Sequence, residues 1–133
     1  MVSILVADDE LDILELVEMK LQIMGHDVTT VHDGDAALAA VDARGFDLAV
    51  LDIGMPGTNG LQVTAAIRRG CPTRRMPIIL MSAYSSAADI KRGIAIGADD
   101  YVTKPFSPRD LGARVHALLN PCPVNLDQAL LTG

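Results

Sequence analysis

Aromatic residues are scarce in this 133-residue chain: tryptophan is absent, and tyrosine and phenylalanine occur twice each. Hydrophobic residues nevertheless make up 50% of the sequence. A chain of this length can bury roughly two-thirds of its unfolded surface, which is enough for one domain with its own core. That core must consist of valine, isoleucine, leucine, methionine and alanine, which suits buried strands covered by alanine-rich helices.

Cysteine, basic charge and long apolar runs are also in short supply. Cys71 and Cys122 have no CxxC spacing and no nearby histidine, which argues against a zinc site or a disulfide framework and fits a reducing cytoplasm. Eleven basic against seventeen acidic residues give a net charge of −6, which disfavours direct binding to nucleic acid. The apolar stretches are shorter than the roughly 20 residues needed to span a bilayer, and early acidic residues exclude a signal peptide.

Short apolar runs with little polar alternation recur along the chain. The strand candidates are Ile4–Ala7, Val28–Val31, Leu48–Leu51, Ile78–Met81 and Tyr101–Val102. Continuous apolar runs are typical of strands buried on both faces, which indicates a parallel sheet.

The segments between these runs have helical periodicity. The first predicted helix buries Leu14, Val17, Leu21 and Met24 and stops at Gly25. The other four predicted helices are Asp35–Ala43, Leu61–Arg69, one from Ser86 to Gly97, and one from Ser107 to about Leu119. Right-handed crossovers place such helices on both faces of the sheet. We therefore predict an α/β domain of five βα units over residues 1–119, with residues 120–133 as a C-terminal tail or the start of a linker.

Polar side chains follow four of the predicted strands. Asp8 and Asp9 follow the first strand, Asp52 the third, Ser82 the fourth, and Thr103 and Lys104 the fifth. Any one of these acids could be only a helix cap. Ligands of open parallel sheets bind beyond the carboxyl ends of the strands, however, so the whole set predicts a binding site at that edge.

Three carboxylates at one edge repel one another, so a cation should compensate their charge. Mg²⁺ prefers oxygen ligands, and no cysteine or histidine is present at this edge to favour a softer metal. Asp8 and Asp9 can hold the ion, while Asp52 can give it one oxygen and use the other as a nucleophile. Lys104 and Ser82 can contact a transferred phosphoryl group, so the sequence predicts Mg²⁺-dependent phosphoryl transfer to Asp52.

Four motifs resemble those of response regulator receiver domains. They are VADDE at 6–10, LDIGMPGTNG at 51–60, MSAYS at 81–85 and GADDYVTKPF at 97–106. The resemblance extends over residues 3–119 and implies the flavodoxin-like (CheY-like) doubly wound fold with strand order 2-1-3-4-5. It also implies a cytoplasmic two-component signalling domain whose phosphodonor is a sensor histidine kinase. Such a domain is not an enzyme with a separate substrate, since it catalyses only its own phosphorylation and slow autodephosphorylation.

The resemblance assigns roles by position. Asp8 and Asp9 are implied as the acidic metal pair, Asp52 as the phosphoacceptor, the Gly54 carbonyl as a further metal ligand, Ser82 as the switch hydroxyl, Tyr101 as the aromatic switch, and Lys104 as the phosphate-binding lysine. The peptide bond from Lys104 to Pro105 is expected to be cis.

Some positions depart from the commonest pattern of the family. Gly54 and Tyr84 stand where side chains flank the phosphoryl group and tune its hydrolysis, and we expect the bulky Tyr84 to shield the acyl phosphate partly from water. Asn59 replaces a frequent aspartate, a change expected to matter little.

The stretch from Gly97 to Val115 resembles receivers of winged-helix (OmpR/PhoB-type) DNA-binding regulators, which dimerise through helix four, strand five and helix five. Asp99 and Arg114 match a pair that forms salt bridges between subunits there, although ordinary surface charges would explain them equally well. Ile90 departs from this class, which usually has a basic residue at that position. A homodimer and a transcriptional output are therefore expectations that this resemblance raises.

Three other classes compete with this interpretation. A flavodoxin-type electron carrier needs a hydroxyl- and glycine-rich phosphate cradle, whereas the first loop here is acidic. Phosphatases with an aspartyl nucleophile usually carry DxDxT after the first strand, and Asp52 does not stand in that motif. A pseudo-receiver that only binds partners would lack Asp9, Asp52 or Lys104, all of which are present.

Overall fold

The computed structural model describes residues 2–70 and 75–120. Both cysteines and most of the predicted tail, residues 121–133, lie outside the described residues. The elements run in the order β1 (Ser3–Ala7), α1 (Leu11–Ile23), β2 (Asp27–Val31), α2 (Gly34–Ala43), β3 (Leu48–Asp52), α3 (Gly60–Gly70), β4 (Ile78–Ser82), α4 (Ala87–Ile96), β5 (Asp100–Thr103) and α5 (Pro108–Leu119). None of these helices is long and apolar enough to cross a bilayer.

The five strands form one sheet in the order β2-β1-β3-β4-β5, and all neighbouring strands are parallel. This topology confirms the predicted flavodoxin-like α/β fold. The strands β3 and β4 are buried along their whole length, which explains their continuous apolar sequence. The order of connections reverses between β1 and β3, so the edge beyond these two strands is the expected place for a ligand site.

Helices cover both faces of the sheet. On one face, Val17 of α1 and Leu111 of α5 pack against the side chains of β1, β3 and β4. On the other face, Ala37 of α2 and Val63 of α3 pack against the alternate side chains of the same strands. The core is therefore two mainly aliphatic layers separated by the sheet, as the shortage of aromatic residues predicts, with Phe46 and Tyr101 as buried aromatic residues in one of them.

Short polar signals begin and end the helices. The hydroxyl oxygen of Ser86 accepts a hydrogen bond from the Asp89 backbone N–H at 3.1 Å, and Ser107 accepts one from Asp110 at 3.0 Å. These contacts satisfy backbone donors in the first turns of α4 and α5. Gly25 follows α1 with φ of 94°, a conformation that glycine adopts without steric cost.

Arg68 of α3 ties together the ends of three elements at the edge opposite the predicted site. Its guanidinium donates to the carbonyls of Gly97 at 2.9 Å and Met76 at 2.6 Å, and to the Asp99 carboxylate at 2.9 Å. Asp99 also accepts from the Ile78 backbone N–H at 2.8 Å, just before β5. The resemblance matched Asp99 to a salt bridge between subunits. In the structure, Asp99 has partners within its own chain.

Arg114 has partners within the chain as well. It donates two hydrogen bonds to Asp100 of β5, at 2.8 and 3.0 Å, and one to Asp110 of α5 at 3.0 Å. Both members of the pair that the resemblance assigned to an interface thus have partners within their own subunit.

Candidate functional site

The Lys104 side chain contacts two carboxylates that follow β1 and the carboxylate of the last residue of β3. Its ammonium nitrogen lies 2.9 Å from an Asp8 oxygen, 3.2 Å from a Glu10 oxygen and 3.2 Å from an Asp52 oxygen. Asp8 and Asp52 are buried, while Glu10 is exposed. Residues far apart in sequence thus meet at the edge where the strand order reverses.

Asp8, Asp9 and Glu10 form an acidic cluster beside this lysine. Each offers a carboxylate oxygen, and these oxygens all lie within 4.8 Å of one another, a spacing at which they could hold a metal ion. The prediction from the sequence included Asp8 and Asp9 but not Glu10. The signal for it was present in the run of three acids after β1, at positions 8–10.

Burial and neighbouring charges together set the pKa of Asp52. Burial and the nearby charge of Asp8 raise the pKa of Asp52 to about 6, although Lys104 and a hydrogen bond from the Gly54 backbone lower it. Burial disfavours the charged form of Lys104, yet its hydrogen bond to Asp8 and the charge of Asp52 raise its pKa overall. Among the described residues, the Lys104 ammonium contacts three carboxylates, and Asp9 adds a fourth to the acidic cluster, so the donor set fits a hard divalent cation such as Mg²⁺.

Two glycines allow the backbone to approach the acceptor closely. A Cβ atom on Gly60, the first residue of α3, would lie 2.5 Å from the Asp52 carbonyl oxygen and 2.9 Å from the Ile53 Cα. A Cβ atom on Gly54 would lie 3.8 Å from an Asp52 carboxylate oxygen, an ordinary contact distance. Gly60 is therefore required by space, while Gly54 leaves one side of the acceptor open.

Ser82 and Tyr101 are both buried and are connected through the backbone of Tyr84. The Ser82 hydroxyl oxygen accepts a hydrogen bond from the Tyr84 N–H at 2.9 Å. The Tyr101 hydroxyl donates to the Tyr84 carbonyl at 2.7 Å, and its residue is only 6% exposed. Tyr84 itself is 66% exposed.

Tyr84 and Tyr101 also line a cavity of about 210 Å³ together with Ile53, Leu61, Asp89 and Arg92. The peptide bond between Lys104 and Pro105 is cis. The structure thus gathers Asp8, Asp9, Asp52 and Lys104 at one edge and places Ser82 at the end of the adjacent strand, β4.

The sequence is similar to known proteins over most of its length. Residues 4–116 match the family model for the response regulator receiver domain. The chain is 41% identical over 117 residues to the alkaline phosphatase synthesis transcriptional regulatory protein PhoP of Bacillus subtilis, with 88% of this chain and 48% of that protein covered. The chain therefore spans about half the length of the curated relatives it matches.

Solved structures share the fold. The receiver domain of the Francisella response regulator 1452 matches with a TM-score of 0.85 and 33% identity, covering 91% of this chain and 98% of that one. The Thermotoga maritima response regulator DrrB, an OmpR/PhoB homologue, matches with a TM-score of 0.83 and 36% identity, covering 91% of this chain and 54% of that one.

Proposed function

The chain belongs to the response regulator receiver family and is the receiver domain of a two-component response regulator, and on this premise we propose that Asp52 accepts a phosphoryl group from a sensor histidine kinase. One observation carries the proposal. The Asp52 carboxylate is buried at the end of β3, 3.2 Å from the Lys104 ammonium and beside an acidic cluster. A nucleophile, a cationic group and a set of metal ligands thus occupy the same edge of the sheet.

Asp8, Asp9, Asp52 and the Gly54 carbonyl are the groups we assign to Mg²⁺, and Glu10 is a further candidate from the same loop. When bound, the ion would neutralise negative charge that develops on the phosphoryl oxygens and on the carboxylates. The excess of carboxylates over ammonium groups at this edge supports the assignment.

In the reaction, an Asp52 oxygen forms a bond to phosphorus while the bond from phosphorus to the kinase imidazole nitrogen breaks. The electron pair of that broken bond stays on the imidazole. Lys104 stabilises negative charge on the phosphoryl oxygens, which requires it to give up part of its contact with Asp8 or Glu10. Hydrolysis by water later returns Asp52 to its free carboxylate, so the domain acts only on its own phosphoryl group.

The kinase docks, we propose, on the exposed side of α1. Leu16, Met19 and Ile23 lie at helical spacing on that helix and are exposed. Helix α1 begins at Leu11, directly after the acidic cluster, so its exposed side lies next to the site that the phosphohistidine must reach. Met19→Lys should therefore slow transfer from a phosphorylated sensor kinase and leave labelling by acetyl phosphate unchanged; equal rates from the kinase would remove this assignment.

Phosphorylation changes the surface of α4, β5 and α5 through Ser82 and Tyr101. The new dianion attracts the Ser82 hydroxyl, whose oxygen now accepts from the Tyr84 N–H, and so acts on the loop that holds Tyr101. We propose that Tyr101 exchanges between this buried position and an exposed one, and that phosphorylation favours the buried position. The relatives' names suggest transcription as the output. A homodimer through this surface would add intersubunit contacts to those that Asp99 and Arg114 already make within the chain.

The phosphoacceptor assignment is tested by incubating the domain with acetyl phosphate and Mg²⁺ and measuring intact mass. We expect the wild-type protein and the matched surface variant Asp42→Asn to gain one phosphoryl group. Asp52→Asn, and wild type with EDTA, should gain none. Labelling of Asp52→Asn at the wild-type level would refute the assignment.

The cysteine usage supports a cytoplasmic location, which we also propose.

A further inference from the structure

Gly93, in the middle of α4, lies directly against the ring of Tyr101. A Cβ atom at this position would be 3.0 Å from Tyr101 Cδ2 and 3.0 Å from Leu80 Cδ1, with Tyr101 Cε2 at 3.2 Å. Carbon atoms without a covalent bond between them pack at about 3.5–4.0 Å. A Cβ atom at position 93 therefore fits only if the Tyr101 ring and the Leu80 side chain give way by a few tenths of an ångström.

Glycine is a poor choice for a helix interior on local grounds alone. It has more backbone freedom to lose on folding than alanine and is disfavoured in helices for that reason. Gly93 is buried and has no unusual backbone angle that would demand glycine. The close approach of the Tyr101 ring and the Leu80 side chain is thus the reason that the structure offers for glycine at this position.

From this packing we propose that Gly93 is a positioning residue, which lets Tyr101 stay buried and thereby sets how readily the domain adopts its switched form. The buried ring donates its hydroxyl hydrogen to the Tyr84 carbonyl, and the Tyr84 N–H donates to Ser82 at the end of β4. Gly93 is connected in this way to the phosphoryl site through Tyr101, Tyr84 and Ser82. The inference rests on the proposed function of Asp52 and the Tyr101 switch.

Coupling of this kind must act in both directions. If phosphorylation favours buried Tyr101, then a change that disfavours buried Tyr101 weakens the apparent binding of a phosphoryl mimic, at most in proportion to the fall in the buried population. Gly93→Ala should therefore lower the apparent affinity for beryllofluoride although residue 93 does not touch it.

The composition of the chain provides a direct probe of Tyr101. There is no tryptophan, and Tyr84 is the only other tyrosine, so Tyr84→Phe leaves Tyr101 as the sole tyrosine fluorophore while keeping the backbone carbonyl that accepts its hydroxyl. We expect iodide to quench the emission of this parent weakly, and to quench the emission of Gly93→Ala in the same background several-fold more strongly. Saturating beryllofluoride with Mg²⁺ should restore protection, at concentrations several-fold higher than the parent needs.

Gly112→Ala is the matched control. Gly112 is also a buried glycine in a helix, but a Cβ atom there meets the side-chain ends of Lys20 and Met24, which are flexible and far from Tyr101. Quenching of Gly112→Ala should equal that of the parent. Equal quenching of Gly93→Ala and the parent would overturn the inference.

Two further measurements separate the possible failures. If the wild-type domain takes no label from acetyl phosphate, the proposed function fails, whereas the quenching experiment still decides where Tyr101 lies. If Gly93→Ala folds too poorly to be measured, Tyr101→Ala is added, and thermal unfolding is followed by circular dichroism. Recovery of a cooperative transition in this double variant supports the contact between residue 93 and the ring; no recovery overturns it.

Discussion

Replacement of Arg68 by methionine is expected to lower the free energy of unfolding by about 3 kcal/mol, more than loss of an ordinary surface ion pair. The side chains of Arg68 and Asp99 are only 18% and 20% exposed. Desolvation lowers the pKa of the Arg68 guanidinium despite the attraction of Asp99, which shows that this pair is partly removed from water. Methionine retains most of the apolar stem, so the loss comes mainly from the three hydrogen bonds.

The magnitude follows from what the substitution leaves behind. Breaking a buried ion pair by removing one partner costs about 3–5 kcal/mol. The value here belongs at the low end, because the pair is partly hydrated and Arg75 still donates to Asp99 at 3.0 Å. The Met76 carbonyl loses its guanidinium donor as well, and the Gly97 carbonyl keeps only the longer hydrogen bond from Arg75 at 3.4 Å.

Urea unfolding followed by far-ultraviolet circular dichroism measures this effect without a tryptophan. Arg44→Met is the matched control, since it removes an arginine whose pair with Asp27 is 48% and 46% exposed, and it should cost only about 0.5 kcal/mol. Equal losses for the two variants would refute the reasoning. A loss below about 1 kcal/mol for Arg68→Met would do so too, and would favour the view that Asp99 serves contacts between subunits.

Four other outcomes are expected. Because the pKa of Asp52 is raised to about 6, the affinity for Mg²⁺ in titration calorimetry should decrease when the pH is lowered below 6, approaching tenfold per pH unit. The metal-free domain should become more stable as the pH falls through 6, since folded Asp52 binds the proton more tightly than unfolded Asp52 does. Tyr84→Ala should shorten the lifetime of the aspartyl phosphate, whereas Tyr84→Phe should not, and an unchanged lifetime would remove the shielding hypothesis. Gly60→Ala should lower the free energy of unfolding by about 2 kcal/mol and slow labelling by acetyl phosphate, because the added Cβ would displace the Asp52 backbone. Gly70→Ala is the control, since a Cβ atom there has no neighbour within 4 Å.

Much of the fold could be predicted because buried parallel strands leave a simple record in the sequence. The run Ile78–Met81 predicted β4 to within one residue, since both of its faces lie under helices. The site at the carboxyl edge could be predicted for a related reason: the ends of parallel strands meet there whatever the loops do.

The partners of individual charges could not be predicted. Asp99 is 31 residues from Arg68 in sequence, and their contact depends on how α3 and the segment before β5 pack. Glu10 reaches Lys104 only because α1 begins where it does and the lysine extends from the far side of β3. Such choices depend on side-chain conformations in the folded protein, which sequence patterns do not encode position by position.

The contact between Lys104 and Asp8 spans 96 residues of sequence. During synthesis the ribosome delivers the acids long before Lys104, their ammonium partner in the described part of the chain, so a nascent domain that lacks β5 has the acceptor aspartate without this cationic group. Because contacts between distant residues form late in folding, the chain should gain its ability to receive a signal in a single step near the end of its assembly. A fragment that ends before Lys104 should therefore accept no phosphoryl group from a kinase that phosphorylates the complete domain.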